Sequence, residues 1–216
     1  MITILKSDKK AFEAISWLLK AMPPKSKRVP SRDTMFYDLG CIKRLPLCGD
    51  QYWAATDSYR VHVLHVADIP MLVANCYRII EHTAQRITLA KAEDVLFPPI
   101  TSALFTPTEY AISADAGHNL TADVLLYWLN RGDLASSSTR VTWRSVYLED
   151  ALSIPSNDWH IGWDGNAKGG KPQLLLRASQ DADLVVRMAA IMPVHLPNSL
   201  PIITNVSDSE EAPNID

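Results

Sequence analysis

The pattern of apolar and polar positions in the first half of the chain predicts one amphipathic helix followed by short strands. Residues Ile2 to Leu5 are typical of a strand, and Ser7 or Asp8 is placed to cap a helix that runs to about Met22. Four apolar residues recur at intervals of three, four and three positions, and so share one face of that helix: Phe12, Ile15, Leu19 and Met22. Strands are predicted at 35–39, 52–55, 60–66, 76–80 and 86–90, with a helical turn at 76–82 as the alternative for the fourth.

The second half loosely repeats this order of a strand, a helix and a run of strands. Strands are predicted at 110–113, 141–143, 160–163, 173–178 and 184–194, and helices at about 119–130 and 146–152. A polar hinge at 106–108 separates the halves, and from Pro197 the chain is polar, proline-bearing and acidic. We therefore predict an α+β fold of two domains, 1–107 and 108–197, each a β-sheet covered by helices, and a disordered acidic tail at 198–216.

The composition is that of a soluble globular protein, with 216 residues of which 47% are hydrophobic and 21% charged. No apolar stretch reaches the ~18 residues that a membrane-spanning helix needs, and no signal-peptide core follows the N-terminus. The three cysteines, Cys41, Cys48 and Cys76, lack CxxC spacing, which favours free thiols in a reducing compartment. We expect a cytoplasmic protein that has no membrane partner.

Charge is distributed unevenly along the chain, although the net charge is only −3. Residues 1–32 carry eight Lys or Arg side chains against Asp8 and Glu13, whereas the last ten residues carry four carboxylates and no basic side chain. A basic segment on an acidic body suits a protein with one face for a polyanion. A solvated helix face followed by a basic loop explains the same pattern without a ligand.

Three short motifs occur in order along the chain. They are Ala55-Thr56-Asp57-Ser58-Tyr59-Arg60, Phe97-Pro98-Pro99-Ile100 and Ile191-Met192-Pro193-Val194-His195-Leu196. They resemble, in the same order, the Ala-Thr-Asp-Gly-His-Arg, Phe-Pro-Asp-Tyr and Met-Pro-Met-Arg-Leu signatures of bacterial sliding clamps, the β subunits of DNA polymerase III. The resemblance covers residues 1–196 and corresponds to the middle and last of the three domains in those clamps, so it implies two DNA-clamp-like domains.

In that family the three segments converge on an apolar groove where polymerases and other clamp users dock. The resemblance thus implies a protein that is not an enzyme and that tethers a DNA polymerase or repair protein through an inter-domain groove. The groove residues carried over are Thr56, Ser58, Tyr59, Arg60, Val61, Pro98, Met192, Pro193, Val194, His195 and Leu196. A strand end beside a buried C-terminal strand, with no ligand, is the alternative interpretation.

The chain departs from the family at several groove positions. Ser58, Tyr59 and Val61 stand where the family has Gly, His and Leu, and Val194 and His195 stand where it has Met and Arg. The groove is therefore expected to stay apolar while its shape and charge differ from those of standard clamps.

The resemblance also implies that duplex DNA is held by its phosphates without base readout. The candidate DNA-contacting residues are Lys9, Lys10, Lys20, Lys25, Lys27, Arg28, Arg32 and Arg131. Because six domains close a clamp ring, a two-domain chain predicts a head-to-tail homotrimer, with a monomer or dimer if ring formation was lost. The alternative function is a clamp-fold adaptor that binds proteins and does not encircle DNA.

The sequence gives little support to catalytic, metal or cofactor chemistry. The segment from Gly165 to Lys171 matches G-x-x-x-x-G-K, but Pro172 replaces the Ser or Thr that would hold magnesium and a strand pattern follows, so a hairpin loop is predicted. His62 and His65, three apart in a strand, point to opposite faces. We predict no cofactor, no metal site and no catalytic residue, and interpret Asp57 with Arg60 as a turn brace. A nucleotide-using enzyme is the third hypothesis.

Overall fold

A computed structural model of the chain describes residues 1–24, 37–47, 49–93, 95–98, 110–113, 125, 141–153, 159–164, 173–181, 184–192 and 194–195. The strands within these residues are β1 (Ile2–Leu5), β2 (Cys41–Leu47), β3 (Asp50–Thr56), β4 (Arg60–His65), β5 (Cys76–His82), β6 (Arg86–Lys91), β7 (Tyr110–Ser113), β8 (Val141–Thr142), β9 (Trp159–Asp164), β10 (Gln173–Asp181), β11 (Leu184–Ile191) and β12 (Val194–His195). The helices are α1 (Lys9–Lys20), α2 (Ser145–Leu152) and a short 3-10 helix (Val66–Asp68).

Ten of these strands form one antiparallel sheet in the order β1-β6-β5-β2-β3-β4-β11-β10-β9-β7, and β8 and β12 form a separate pair. The centre of the sheet joins the two halves of the chain, because β4 pairs with β11 and places Ile191 opposite Arg60 and Ala190 opposite Val61. The predicted boundary between domains, at 107/108, lies outside the described residues. The division into two domains therefore stays a prediction, while the sheet itself runs across both halves.

Both α-helices pack on the same face of the sheet, which confirms the predicted α+β class. The predicted apolar face of α1 is buried at Ile15 and Leu19, continues to the buried Met22 just beyond the helix, and is half-buried at Phe12. Four further residues widen that face: Ala11, Ala14, Trp17 and Leu18. From α2, Leu148 and two neighbours join the same core cluster. Helix α1 starts after Asp8, the expected cap, although the Asp8 side chain makes no cap hydrogen bond.

The opposite face of the sheet carries a second, smaller apolar cluster. Strand residues alternate between the two faces, so Trp53 and Ala55 of β3 join the helix-side core while Tyr52 and Ala54 join the second cluster. The second cluster consists of Leu47, Tyr52, Ala54, Val61, Val63, Phe97, Met188 and Ala190. Its members come from both halves of the chain, so this face is a place where the two halves meet.

Most predicted strands are confirmed, and the main difference concerns β2, a strand that contains a proline and was not predicted. Residues 37–39 are not a strand as predicted, and β2 begins instead at Cys41 and includes Pro46. Pro lacks an N–H, so it is confined to positions where a ladder bond is not needed. Among the described residues, strand β5 pairs with β2 only from Cys41 to Lys43, so the missing N–H of Pro46 disrupts no ladder with β5.

The remaining predictions concern one choice between alternatives and the ends of elements. The segment from Cys76 to His82 is a strand and not the alternative helical turn. The predicted strand at 184–194 ends at Ile191, and Val194–His195 pairs separately with β8. Leu125 is helical and buried, while the rest of the predicted 119–130 helix and the tail at 198–216 lie outside the described residues.

Two of the cysteines are buried free thiols that contact one another. Cys41 and Cys76 are both buried and unbridged, and Cys48 lies outside the described residues. The hydrogen bond between the two thiols, together with burial, raises the pKa of Cys41 far above its ordinary value. The Cys41 thiol is therefore protonated at neutral pH and unreactive as a nucleophile. No α-helix in the described segments is long and apolar enough to cross a membrane.

Candidate functional site

The turn that links β3 to β4 is held by its own side chains. The Asp57 carboxylate accepts the backbone N–H of Tyr59 at 2.9 Å and that of Arg60 at 3.0 Å. The Thr56 hydroxyl donates to the Arg60 carbonyl at 2.6 Å and accepts the N–H of Ser58 at 3.0 Å. Four hydrogen bonds thus fix five residues, and Asp57 acts as the brace that its position predicts.

Ser58 sits in the left-handed region of backbone space, with φ = +75°. This conformation is costly for a residue with a Cβ and easy for glycine, the residue that the clamp signature has here. We expect Ser58→Gly to stabilise the fold by about 0.5 kcal/mol, since the relief of left-handed strain exceeds the added flexibility of the unfolded chain. Urea unfolding measures the change. Ser58→Ala is the control and should give no gain, because alanine keeps the Cβ; an equal gain from both variants would contradict the assignment to backbone strain.

The three sequence motifs meet at this turn. The backbone N–H of Met192, in the third motif, donates to the carbonyl of Tyr59, in the first, at 2.8 Å. Phe97, from the second motif, is buried in the same cluster as Val61 and Ala190, which adjoin the first and third motifs. Segments that lie about 40 and 95 residues apart in sequence therefore line one face of the sheet, as the predicted groove requires.

The segment that carries Phe97 is fastened to the start of β2. The backbone N–H of Asp38 donates to the Leu96 carbonyl at 3.0 Å, and the Lys43 ammonium donates to the Val95 carbonyl at 2.9 Å. These bonds turn Phe97 into the second cluster, leave Pro98 half-buried and leave Leu96 exposed. The hydrogen bonds to Val95 and Leu96, the two residues before Phe97, thus fix where this segment enters the second cluster.

We use "groove surface" for Tyr59, Pro98 and Met192 together with three buried residues of the second cluster, Val61, Phe97 and Ala190, which we call its floor. Tyr59 projects from the turn with 62% of its surface exposed, and Met192 is half-buried beside it. The floor is closed to solvent. An exposed aromatic and a methionine at the rim of a buried apolar floor suit an apolar partner, because aromatic and Met side chains supply much of the energy in such contacts.

Arg60 was predicted to line the groove, but its side chain lies on the opposite, helix-covered face. The guanidinium Nη1 is 2.6 Å from Asp150 Oδ2 of α2, and Nε is 3.3 Å from Asp57 Oδ2. The same group stacks 4.2 Å above the ring of Tyr147. Val61, the next residue, faces the groove floor. Arg60 therefore holds the turn against α2 and does not contribute to the groove surface.

The Tyr147 ring supports the Arg60 guanidinium from below. It is buried, and a second guanidinium, that of Arg144, donates to its hydroxyl at 3.3 Å. Burial, followed by the nearby Asp57 carboxylate, raises the pKa of Tyr147 above its ordinary value. The phenol is thus neutral across the physiological range, and the ring presents its π face to the buried Arg60 cation.

No protein-family model and no curated protein matches the chain. Solved structures of bacterial clamps do match. The DNA polymerase sliding clamp of Bacillus subtilis is 13% identical, with 91% of this chain and 64% of that chain covered and a TM-score of 0.48. The DNA polymerase III subunit beta of Pseudomonas aeruginosa is 14% identical, with 91% of this chain and 66% of that chain covered and a TM-score of 0.47. The DNA polymerase III beta chain of Streptococcus pneumoniae is 13% identical, with 90% of this chain and 64% of that chain covered and a TM-score of 0.46. These are distant likenesses, and the chain spans less than two thirds of the length of each clamp.

Three of the candidate DNA-contacting residues lie on the exposed face of α1, and two of them already have a carboxylate partner. Lys10 Nζ lies 3.4 Å from Asp68 Oδ1, and Lys20 Nζ lies 3.7 Å from Asp150 Oδ1. Lys9 is exposed on the same helix. The other candidates lie outside the described residues: Lys25, Lys27, Arg28, Arg32 and Arg131.

The last part of the predicted groove is described only in part. Val194 and His195 form β12, whose backbone pairs with Thr142 and Val141 of β8. Pro193 and Leu196 lie outside the described residues. Met192 thus bonds to the turn, while the backbone of β12 pairs with β8.

The remaining sequence candidates are accounted for by packing. His62 stacks on Trp17 of α1 with ring centroids 4.4 Å apart, whereas His65 makes an edge contact with Tyr52 of the second cluster. The two imidazoles thus lie on opposite faces, as their spacing predicts. Asp164 of β9 pairs with Gln173 of β10, so the glycine-rich segment connects two antiparallel neighbours and leads into a strand.

Proposed function

We propose that this protein is sliding-clamp-like and binds a DNA polymerase or repair protein through the groove surface. The observation that carries the proposal is the convergence of the three motifs, with Met192 bonded to Tyr59 and with Phe97 in one cluster with Val61 and Ala190. The groove surface is apolar at its floor and rim, which suits an extended apolar peptide. The buried free thiols support a reducing compartment such as the cytoplasm.

We further propose that the chain contacts duplex DNA through its basic residues and assembles head-to-tail, with a trimeric ring favoured. Lys9, Lys10 and Lys20 give α1 an exposed basic face, which is what backbone-only attraction to phosphates needs. Within the described part of the chain, β1 and β7 are the outermost strands of the ten-stranded sheet, and two unlike edge strands are suited to heterologous contacts that close into a ring. The mechanism is topological tethering, in which release of the partner from DNA requires ring opening.

An adaptor that does not encircle DNA is the second candidate function, and one observation favours it. Lys10 and Lys20 are each close to a carboxylate, and Glu13 adds a further negative charge to the exposed side of α1. This face therefore attracts phosphate less than three unpaired lysines would. The groove surface is the same in both candidates.

Peptide binding tests the groove surface. A fluorescein-labelled clamp-motif peptide from a bacterial DNA polymerase III should bind the full chain, and Tyr59→Ala and Met192→Ala should each weaken it roughly tenfold, since each removes an apolar rim contact of the kind that dominates small interfaces. Anisotropy titration measures the affinity. Val73→Ala, at a 77% exposed apolar residue outside the groove surface, is the matched control. Unchanged affinity in both groove variants would reject the site.

Assembly on DNA separates the two candidate functions. For a ring, the mass in solution should be near three times 24.0 kDa, and the protein should be retained on closed circular DNA and lost when that DNA is linearised. For an adaptor, the peptide should still bind, and the protein should be a monomer whose mass does not change with concentration. It should be retained no better on closed circular DNA than on linear DNA.

A further inference from the structure

One carboxylate outside the sequence motifs contacts both the turn that carries Tyr59 and a lysine of the proposed DNA-contacting helix. Asp150 of α2 has one oxygen 2.6 Å from Arg60 Nη1 and the other 3.7 Å from Lys20 Nζ. Arg60 belongs to the turn that carries Tyr59, and Lys20 is one of the exposed lysines of α1. We propose that Asp150 is a positioning residue that couples the groove surface to the DNA-facing helix. This inference rests on the proposed function.

On the groove side, Asp150 completes the environment of a buried cation. Arg60 is only 9% exposed, and its charge is balanced by Asp57 and Asp150 over the Tyr147 ring. Asp57 also accepts the two N–H groups that shape the turn. Removing the Asp150 charge leaves Asp57 as the one carboxylate near Arg60 among the described residues. Arg60 then competes for Asp57 with the two N–H groups that Asp57 holds in the turn. A buried cation that loses a partner is strongly penalised, so the turn and its bond to Met192 must readjust.

On the DNA side, the contact is weak enough to exchange. Lys20 is 40% exposed and its ammonium lies 3.7 Å from the carboxylate, and exposed pairs of this kind contribute little to stability. A DNA phosphate can therefore take Lys20 at small cost. The Asp150 carboxylate then no longer shares its charge between Lys20 and Arg60. Its ion pair with Arg60, which holds the turn, becomes stronger as a result. The coupling is consequently positive: DNA raises peptide affinity and, by reciprocity, peptide raises DNA affinity.

A second lysine on the same helix provides a matched control. Lys10 pairs with Asp68, which is buried and also lies 3.8 Å from Arg187 Nη2. In the described part of the chain, the charged partners of Asp68 are Lys10 and Arg187, and neither lies in the β3–β4 turn. Asp68→Asn and Asp150→Asn thus each free a lysine of α1, but the second alone also removes a partner of Arg60.

The test measures two affinities in the full-length variants. With a short fluorescent duplex, Asp68→Asn and Asp150→Asn should each tighten binding by up to about fivefold, because each frees a lysine of α1 from an exposed ion pair that the phosphate must otherwise displace. With the clamp-motif peptide, Asp150→Asn should weaken binding several-fold and Asp68→Asn should leave it unchanged. In the wild type, adding unlabelled duplex should tighten peptide binding, and Lys20→Gln should abolish that effect.

The outcomes separate this inference from the proposed function. If the wild type binds neither duplex nor peptide, the proposed function and this inference both fall. If it binds both, but the duplex leaves peptide affinity unchanged or Asp68→Asn weakens peptide binding as much as Asp150→Asn, only the coupling falls. Lys20→Gln alters an exposed side chain, so its result decides the matter even if Asp150→Asn fails to fold.

Discussion

Trp17→Ala is expected to destabilise the protein by about 3–5 kcal/mol, the range for truncating a large aromatic in a packed core. The side chain is 1% exposed. Its Nε1 donates to the Ala151 carbonyl of α2 at 2.9 Å, and its ring stacks on His62 of β4. One side chain thus joins α1, the centre of the sheet and a helix from the other half of the chain. Its loss removes packing and leaves a buried carbonyl without its donor.

A comparison of two tryptophans separates the hydrogen bond from the packing. Trp53 is equally buried, but its Nε1 has no hydrogen-bond partner among the described residues. Trp17→Phe and Trp53→Phe remove the same volume, so Trp17→Phe should cost about 1–2 kcal/mol more, the cost of leaving a buried acceptor unpaired. Urea unfolding of both variants gives the difference. Equal destabilisation would mean that the bond to Ala151 contributes nothing, and the role of Trp17 in joining α2 would reduce to packing.

The strands could be predicted from the sequence because their apolar alternation is local. Ile2–Leu5 and Tyr110–Ser113 are observed as predicted, since each is a short β-prone run with clear ends. Strand β2 could not be found in the same way. Its Pro46 and its two basic residues break the alternation, and what permits Pro46 there is the early end of the β5 ladder, a tertiary fact with no trace in the local sequence.

In the candidate site, too, the features encoded in local motifs could be predicted, and the feature that depends on a distant residue could not. The order of the three motifs predicted that they would meet, and the Met192 bond to Tyr59 is consistent with that prediction. The assignment of Arg60 to the groove was wrong, because the orientation of its side chain depends on Asp150, a residue 90 positions away that no motif includes. Strand alternation alone offered a clue, since Arg60 and Val61 are adjacent and both were assigned to the groove although they must point to opposite faces.

Acidification is expected to weaken the fold through His62. Burial lowers the pKa of His62 to about 3, although its Nδ1 lies 2.9 Å from the Trp17 carbonyl, which as an acceptor requires the proton on Nδ1. In the unfolded chain the pKa returns to its ordinary value near 6.5. Between these values the unfolded state binds a proton that the folded state does not, so stability is lost as pH falls from about 6.5. From about pH 7.5 to pH 5 the loss should be about 2 kcal/mol, at 1.36 kcal/mol per unit.

Urea unfolding across this range tests the assignment, because most carboxylates ordinarily titrate below it. His62→Asn keeps a donor for the Trp17 carbonyl and cannot take up a proton. It should be less stable than the wild type at neutral pH, since it lacks the ring stacked on Trp17, and should lose about 2 kcal/mol less on acidification to about pH 5. His65→Asn, a histidine change on the opposite face, should retain the wild-type loss. If His62→Asn weakens with acid as steeply as the wild type, the sensitivity arises elsewhere and His62 is protonated in the fold without penalty.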